Sequence, residues 1–460
     1  MTALTSTPQA GHNLSGHYPD DNSNSARLYQ RALKVLPGGN SRHTVFFPPY
    51  PVYAVRGEGA RIWDADGVER LDLINNYSSL IHGHNHPEVV AAIIDQARKL
   101  LSVALPTEAE VALAEIVCER LPGVEQIRFA NSGTEGVMFA VKAARAFTGR
   151  PKIAKIEGAY HGSDDTAAVS VNPDPARWGE ASAPASVADR GSGPGAAADV
   201  VILPMNQVET CRTILRAHGD QLAGVIIDPL IKNLGYEPAS PAFLAMLREE
   251  TRALGAMLIF DEVYSFRLGY RGAQGALGVI PDLTAMGKVI GGGLPVGAVG
   301  GRADLMTALF DPRTGKPKLG HGGTFNANPM TMAAGAAAMR LFDEPAFDRL
   351  SALGERLRTG LREVIKVAGV PGVVRGATSM VSFFHIDAET PTYRDVVEAM
   401  RANPQARLKA EQFFRHMLNS GVLMGAPGFF VLSTALTEAD IDRVLETSLA
   451  GLRAMDQVAA

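Results

Sequence analysis

The chain has 460 residues, 46% of them hydrophobic and 20% charged, with a formal charge of −4 at pH 7. That length allows roughly two or three folding units, and the balance is that of a globular protein with a large buried core. The near-neutral charge excludes the basic field of a nucleic-acid or anionic-lipid binder; with only Cys118 and Cys211 and no CxxC pair, it also lacks a disulfide scaffold or a zinc motif.

Residues 1–25 are polar, with no apolar core of a signal peptide, and read as a flexible arm. No stretch reaches the ~18 apolar residues that span a bilayer, so a cytoplasmic location is the default expectation. Residues 27–36 read as a helix stopped by Pro37-Gly38-Gly39. Short strands follow at 54–55, 61–63 and 71–73, with Asp64-Ala65-Asp66-Gly67 as a turn. The 87–102 and 107–121 segments carry the apolar spacing of amphipathic helices. The pattern then changes to strand–helix alternation. Apolar runs at 126–129, 153–156, 200–203, 224–227 and 257–260 suit strands buried on both faces, with helices at 134–147, 208–217 and 241–254 between them. This predicts an α/β fold: a large doubly wound domain with a mostly parallel sheet. Residues 171–199, rich in Pro, Gly, Ala and Ser, read as a surface loop or lid. Beyond a helix at 331–342, a strand at 379–386, a helix at 407–418, a strand at 429–432 and a helix at 438–456 suggest a smaller α+β domain. The expected division is an arm at 1–25, an N-terminal segment at 26–80 joining the small domain, the large domain at 81–332 and the small domain at 333–460.

Four segments of the large domain carry the chemistry. Pyridoxal 5′-phosphate needs a lysine for an imine, an acid to keep its pyridine nitrogen protonated, a phosphate cup and flat partners for its ring. Lys288, in Gly287-Lys288-Val289-Ile290-Gly291-Gly292-Gly293, is the candidate lysine; flanking glycines let backbone approach a bulky ligand. Asp261 ends an apolar strand, where a pyridinium N–H would be a suitable partner for a buried carboxylate. Asn131-Ser132-Gly133-Thr134-Glu135 follows a strand and opens a helix, a ready anion site with Ser132, Gly133 and Thr134 as cofactor ligands. Tyr160, in Gly158-Ala159-Tyr160-His161-Gly162, could stack on the ring, with Val263 on its other face. The Gly322–Asn328 stretch, in which Thr324 lies, resembles an anion nest. Taken singly, each has an ordinary reading: a surface lysine, a strand-end cap, a helix cap, a core tyrosine. Their order along one α/β domain joins them. No site for a metal is read.

These residues resemble those of class III aminotransferases, within fold type I of the pyridoxal-phosphate enzymes, over about residues 30–455. The resemblance implies that Lys288 holds the cofactor, that Asp261 pairs with its pyridine nitrogen, that Ser132, Gly133 and Thr134 hold its phosphate and that Tyr160 stacks on its ring. It further implies a homodimer with shared sites, in which Thr324 reaches the phosphate in the neighbouring subunit. Glutamate-1-semialdehyde aminomutases share the Gly287–Gly301 stretch; β-phenylalanine aminotransferases share Asn40-Ser41-Arg42, Trp63-Asp64-Ala65-Asp66-Gly67 and Leu309-Phe310-Asp311-Pro312-Arg313-Thr314-Gly315. The second group is favoured, and it implies Arg42 as a ligand of the substrate carboxylate, with Tyr77 beside it. Two departures stand out. Asp228-Pro229 replaces Glu-Pro, and Met424-Gly425-Ala426-Pro427-Gly428 lacks the arginine that would meet a dicarboxylate acceptor. The expected activity is transfer of an amino group from an amino acid, preferably a β-amino acid, to a keto acid. Two alternatives stay open: a 2,1-aminomutase, and a non-catalytic relative that only binds ligand.

Overall fold

The computed structural model describes residues 18–193, 195–386, 392–426 and 428–458. Of the expected arm, residues 1–17 lie outside these, and residues 18–25 correct the expectation of flexibility. Tyr18 is buried, its hydroxyl donates to Tyr50 O at 2.6 Å, and its N–H donates to Asn419 Oδ1 at 2.8 Å. A tyrosine that buries its ring and satisfies its polar atoms gains enough to anchor a polar segment. The first helix, Asn24–Ala32, is capped by Ser23 and ends before the Pro-Gly-Gly stop.

Three strands open the chain: β1 (Ala54–Glu58), β2 (Arg61–Asp64) and β3 (Glu69–Asp72). The central sheet follows, built from β4 (Gln126–Ala130), β5 (Lys152–Ile156), β6 (Val200–Leu203), β7 (Leu222–Ile227), β8 (Met257–Asp261), β9 (Leu283–Gly287) and β10 (Gly297–Gly301). Its spatial order is β4-β10-β9-β8-β7-β5-β6. All pairings are parallel except those of β10, which runs against β9 and β4. Alternation sorts the side chains to two faces. Ala154, Ile156, Leu258 and Phe260 meet Phe243, Leu244 and Leu247 of helix Pro241–Leu254. Ile153, Met257, Ile259 and Ala285 meet Val137, Ala140 and Ala144 of helix Gly133–Thr148. The sheet is therefore covered on both sides, as the doubly wound expectation required.

The C-terminal strands are β11 (Val373–Ala377), β12 (Met380–Phe384), β13 (Val422–Leu423) and β14 (Phe429–Val431). β11, β12 and β14 form an antiparallel sheet, whereas β13 leaves it to pair in parallel with β3. The two chain ends thus share one sheet, ordered β1-β2-β3-β13.

Three readings of the sequence need amending. Strand β10 was not expected, and neither was the longest helix among the described residues, Glu344–Ala368. The 171–199 segment, read as a loop or lid, holds a 3-10 turn at Pro175–Arg177 and a small hairpin of Gly179–Glu180 with Ala183–Pro184. It is anchored by buried Trp178, whose indole donates to Pro173 O at 2.9 Å and whose ring faces the Arg394 guanidinium at 5.2 Å. Arg394 also forks onto the buried Glu157 carboxylate at 2.9 Å, tying this segment to the strand end that precedes Tyr160. Half-buried Cys118 lies in helix Glu108–Arg120 and buried Cys211 in helix Val208–Ala217.

Candidate active site

At the carboxyl ends of β5, β7 and β8 the backbone stops pairing and leaves side chains facing a cleft, where a parallel sheet places its ligands. A cavity of about 360 Å³ opens there. Its lining brings together Arg42, Tyr77, Gly133, Thr134, Tyr160, Asp261, Val263 and Lys288. Two predicted residues are not in that lining. The Ser132 hydroxyl works as a helix cap, accepting from Glu135 N–H at 3.2 Å. Thr324 lies exposed on the surface.

Asp261 ends β8 as a buried residue. Its Oδ1 accepts the Val263 N–H at 3.0 Å, and its Oδ2 lies 2.8 Å from Nδ1 of His161. Burial holds the His161 imidazole below its ordinary pKa, against the opposing pull of Asp261. A neutral ring facing a carboxylate carries its proton on Nδ1, and its buried Nε2 has no partner among the described residues. His161 is a site residue that the local motifs do not single out. Its signal was an aromatic base beside the ring candidate, but only the fold brings it to a residue 100 positions away.

Lys288 follows β9 in a left-handed conformation, φ 48°. Its Nζ lies 3.8 Å from the centroid of the Tyr264 ring. Burial pushes its ammonium down to about 8; the Asp261 and Asp228 carboxylates oppose this, and Lys232 adds to it. Asp228, at the end of β7, is a second buried acid of the cavity. Burial, with the Asp261 carboxylate nearby, holds its carboxyl well above the usual range. The sequence showed Asp228 only as a departure from a motif.

The N–H groups of Gly133 and Thr134 precede the first backbone bond of their helix, Gly136 N–H to Ser132 O at 3.0 Å. With the helix dipole behind them they form an anion site. Gly162, at φ +96°, passes so close that a Cβ there would sit 2.6 Å from Thr134 Oγ1. At the rim, Arg42 Nη1 donates to Asn76 Oδ1 at 2.9 Å, and Tyr77 OH donates to Thr44 O. Asn75, Asn76, Tyr77 and Ser78 all have positive φ, a left-handed turn costing about 1–2 kcal/mol per residue. Strain of this kind persists where surrounding contacts fix it, and Asn75 Nδ2 donates to Val431 O at 2.7 Å.

A covered, mostly parallel sheet with lysine, aspartate and an anion-binding helix at its strand ends defines a pyridoxal-phosphate enzyme of fold type I. The pattern of the family described as Aminotransferase class-III matches residues 46–447, and the chain belongs to that family. It is 39% identical over 427 residues to the β-phenylalanine transaminase of Variovorax paradoxus, covering 93% of this chain and 92% of the relative. It is 38% identical over 436 residues to the glutamate-1-semialdehyde 2,1-aminomutase 2 of Brevibacillus brevis, covering 93% and 98%. The crystal structure of an omega-transaminase from Sphaerobacter thermophilus superposes with a TM-score of 0.92 at 48% identity, over 95% of this chain and 99% of that one.

The cofactor is therefore pyridoxal 5′-phosphate, and the residues present fit it. The cavity offers a carboxylate for a ring nitrogen, an amine of lowered pKa for a carbonyl and free helix N–H groups for a phosphate. As a class III aminotransferase, the enzyme works on an amino donor and a keto acceptor.

Proposed function

We propose that the amino donor is a β-amino acid, and that Arg42 reads its carboxylate. When bound, the cofactor supplies a carbonyl that condenses with amines and a ring that draws electrons from the attached carbon. Asp261 accepts the ring N–H and, steadied by His161, keeps that nitrogen protonated. Gly133 and Thr134 hold the phosphate through N–H groups, with Ser132 capping their helix. Tyr160 and Val263 bracket the ring. Lys288 Nζ would hold the cofactor through its carbonyl carbon, and its neutral amine would accept a proton from the substrate carbon. Tyr77 and Asn76 hold the Arg42 loop. Thr324 meets the phosphate of a second subunit in a homodimer. The 26–80 segment works with 333–460 as the small unit, and 81–332 holds the cofactor, in the cytoplasm.

The observation that carries this reading is Arg42 on the rim of the Lys288 cavity, hydrogen-bonded to Asn76 and in no ion pair among the described residues. A guanidinium with a free edge binds a carboxylate by two parallel hydrogen bonds. A donor screen on the purified holoenzyme tests it. A β-amino acid alone should bleach the cofactor's visible absorbance, and turnover should need a keto acid in stoichiometric amount. Turnover of one substrate with no acceptor would make the enzyme an aminomutase, and a spectrum unmoved by any amine would make it a binding protein. Arg42→Ala should cost a carboxylate-bearing donor roughly 2–5 kcal/mol in kcat/KM and hardly touch a plain amine. Equal losses for both would assign Arg42 to structure alone.

A further inference from the structure

Tyr264 follows Asp261 in the short helix Glu262–Ser265 and lines the Lys288 cavity. The Lys288 Nζ sits 3.8 Å from its ring centroid, well inside the ~6 Å over which a ring face attracts a cation. The ring is fixed from behind. It lies 6.0 Å from the buried Tyr236 ring and packs on a cluster that includes Leu230, Leu268 and Met380. Tyr236 in turn meets Phe429 edge-on at 5.5 Å. The amine itself forms no ion pair among the described residues; Asp261 and Asp228 attract it through space, and Lys232 repels it. Both acids are engaged elsewhere, Asp261 with His161 and the Val263 N–H, Asp228 with the Leu230 N–H at 2.9 Å. Burial, with Tyr236, Tyr77, Asp228 and Tyr160 nearby, holds the Tyr264 hydroxyl well above its ordinary pKa, so the phenol brings no charge. What it turns to the amine is the face of its ring.

We infer that the Tyr264 ring face is the resting place of the Lys288 ammonium, which makes Tyr264 a positioning residue for proton transfer. This rests on the reading of Lys288 as cofactor lysine and base, and on no particular donor. In that step the Nζ lone pair takes a proton from the substrate carbon, the C–H bonding pair stays with that carbon, and the ammonium later returns the proton to carbon. A carboxylate in contact would hold the ammonium strongly and oppose the return, and Asp261 would be drawn away from the cofactor nitrogen. A ring face steadies the charge moderately and has no lone pair to take the proton. It also leaves the N–H bonds of the ammonium free to turn towards the reacting carbon.

The test replaces the ring by an apolar chain with no such face. Capture of pyridoxal phosphate by cofactor-free enzyme is followed against pH by stopped-flow absorbance. Without the ring the ammonium loses support and gives up its proton sooner. In Tyr264→Met the capture rate should therefore level off about one pH unit lower than in the unaltered enzyme, and kcat of the holoenzyme should fall about tenfold. Tyr264→Phe, which keeps the face and drops the hydroxyl, should restore the midpoint and most of the rate. A midpoint that stays put or rises in Tyr264→Met overturns the inference. An equal shift in Tyr264→Phe also overturns it, by giving the role to the hydroxyl. Should Tyr264→Met not fold, the unaltered chain decides. With its lysine ε-carbons isotope-labelled, the Lys288 methylene signal, assigned by its absence in Lys288→Ala, should be displaced upfield by the ring; a signal among those of the other lysines overturns the inference. Covalent capture that persists in Lys288→Ala, trapped by borohydride, would instead bring down the reading of Lys288 beneath it.

Discussion

Lys288 shows how a single side chain can carry both its chemistry and its pH dependence. Its ammonium is lowered from the ordinary 10.5 to about 8, chiefly by burial. Below that value it is charged and cannot attack a carbonyl; above it the amine is neutral and nucleophilic. The rate at which cofactor-free enzyme captures pyridoxal phosphate should therefore rise with pH and level off above about 8. Stopped-flow absorbance would show this, and a rise continuing towards 10.5 would contradict the buried setting. Lys288→Ala should lose turnover by several orders of magnitude, because one amine serves both attachment and proton transfer. Asp261→Asn, nearly isosteric, should keep the fold by circular dichroism yet slow turnover strongly; unchanged turnover would break the proposed pairing. These residues were legible because each stands in a short local motif: Gly-Lys before glycines, an acid closing an apolar strand, Ser-Gly-Thr at a helix start. His161, Asp228 and Tyr264 were not, because their part in the site comes from contacts across the sheet that no local spacing encodes.

The elements that were missed were missed for distinct physical reasons. Strand β10 reads Gly-Ala-Val-Gly-Gly, a composition that shuns strands by propensity. The glycines answer to packing instead: a Cβ at Gly297 would run into the Ser132 carbonyl, and one at Gly300 would lie 2.6 Å from Val124. This antiparallel strand presses directly on the loop that opens the anion-binding helix. Gly297→Ala should then cost about 1–3 kcal/mol of stability by overpacking and weaken cofactor affinity with it. Urea denaturation and cofactor titration read the two effects, and normal cofactor affinity in a destabilised variant would uncouple strand from site. The buried Lys155 on β5 holds the other side of the cofactor loop, donating to the carbonyls of Ala159, Ala167 and Val169 at 2.9, 2.8 and 2.6 Å. Helix Glu344–Ala368 was missed for a different reason. Its polar face is long, and its buried stripe, Leu350, Leu353, Leu357 and Leu361, becomes meaningful only once its partners are known.

For the whole molecule, the sequence made the two-sided central sheet plain, since runs of apolar residues separated by helices have few other solutions. The parallel register that pairs Val422 with Leu71 and Leu423 with Asp72 was not legible in it. The isolated chain also leaves large apolar side chains in water: Phe325 is 59% exposed, and Tyr160, at the cavity, 53%. In the proposed dimer such surface would be covered. Sedimentation should give a dimer across the working concentration range, and an active monomer would refute shared sites. Among the described residues no helix is long and apolar enough to cross a membrane.

The pairing of β3 with β13 sets the order in which the enzyme can be built. Arg70 donates to Leu418 O, 348 positions further along the chain. During synthesis the strands from 126 to 301 leave the ribosome together, so the sheet that carries the cofactor end can assemble while the remainder is still being made. The rim, by contrast, rests on residues 42–80, whose three strands pair with one another early but whose edge strand β3 gains its parallel neighbour only when Val422 and Leu423 arrive. The part of the fold that carries Lys288 and Asp261 can therefore form before the segment that carries Arg42 is fixed against Val422 and Leu423.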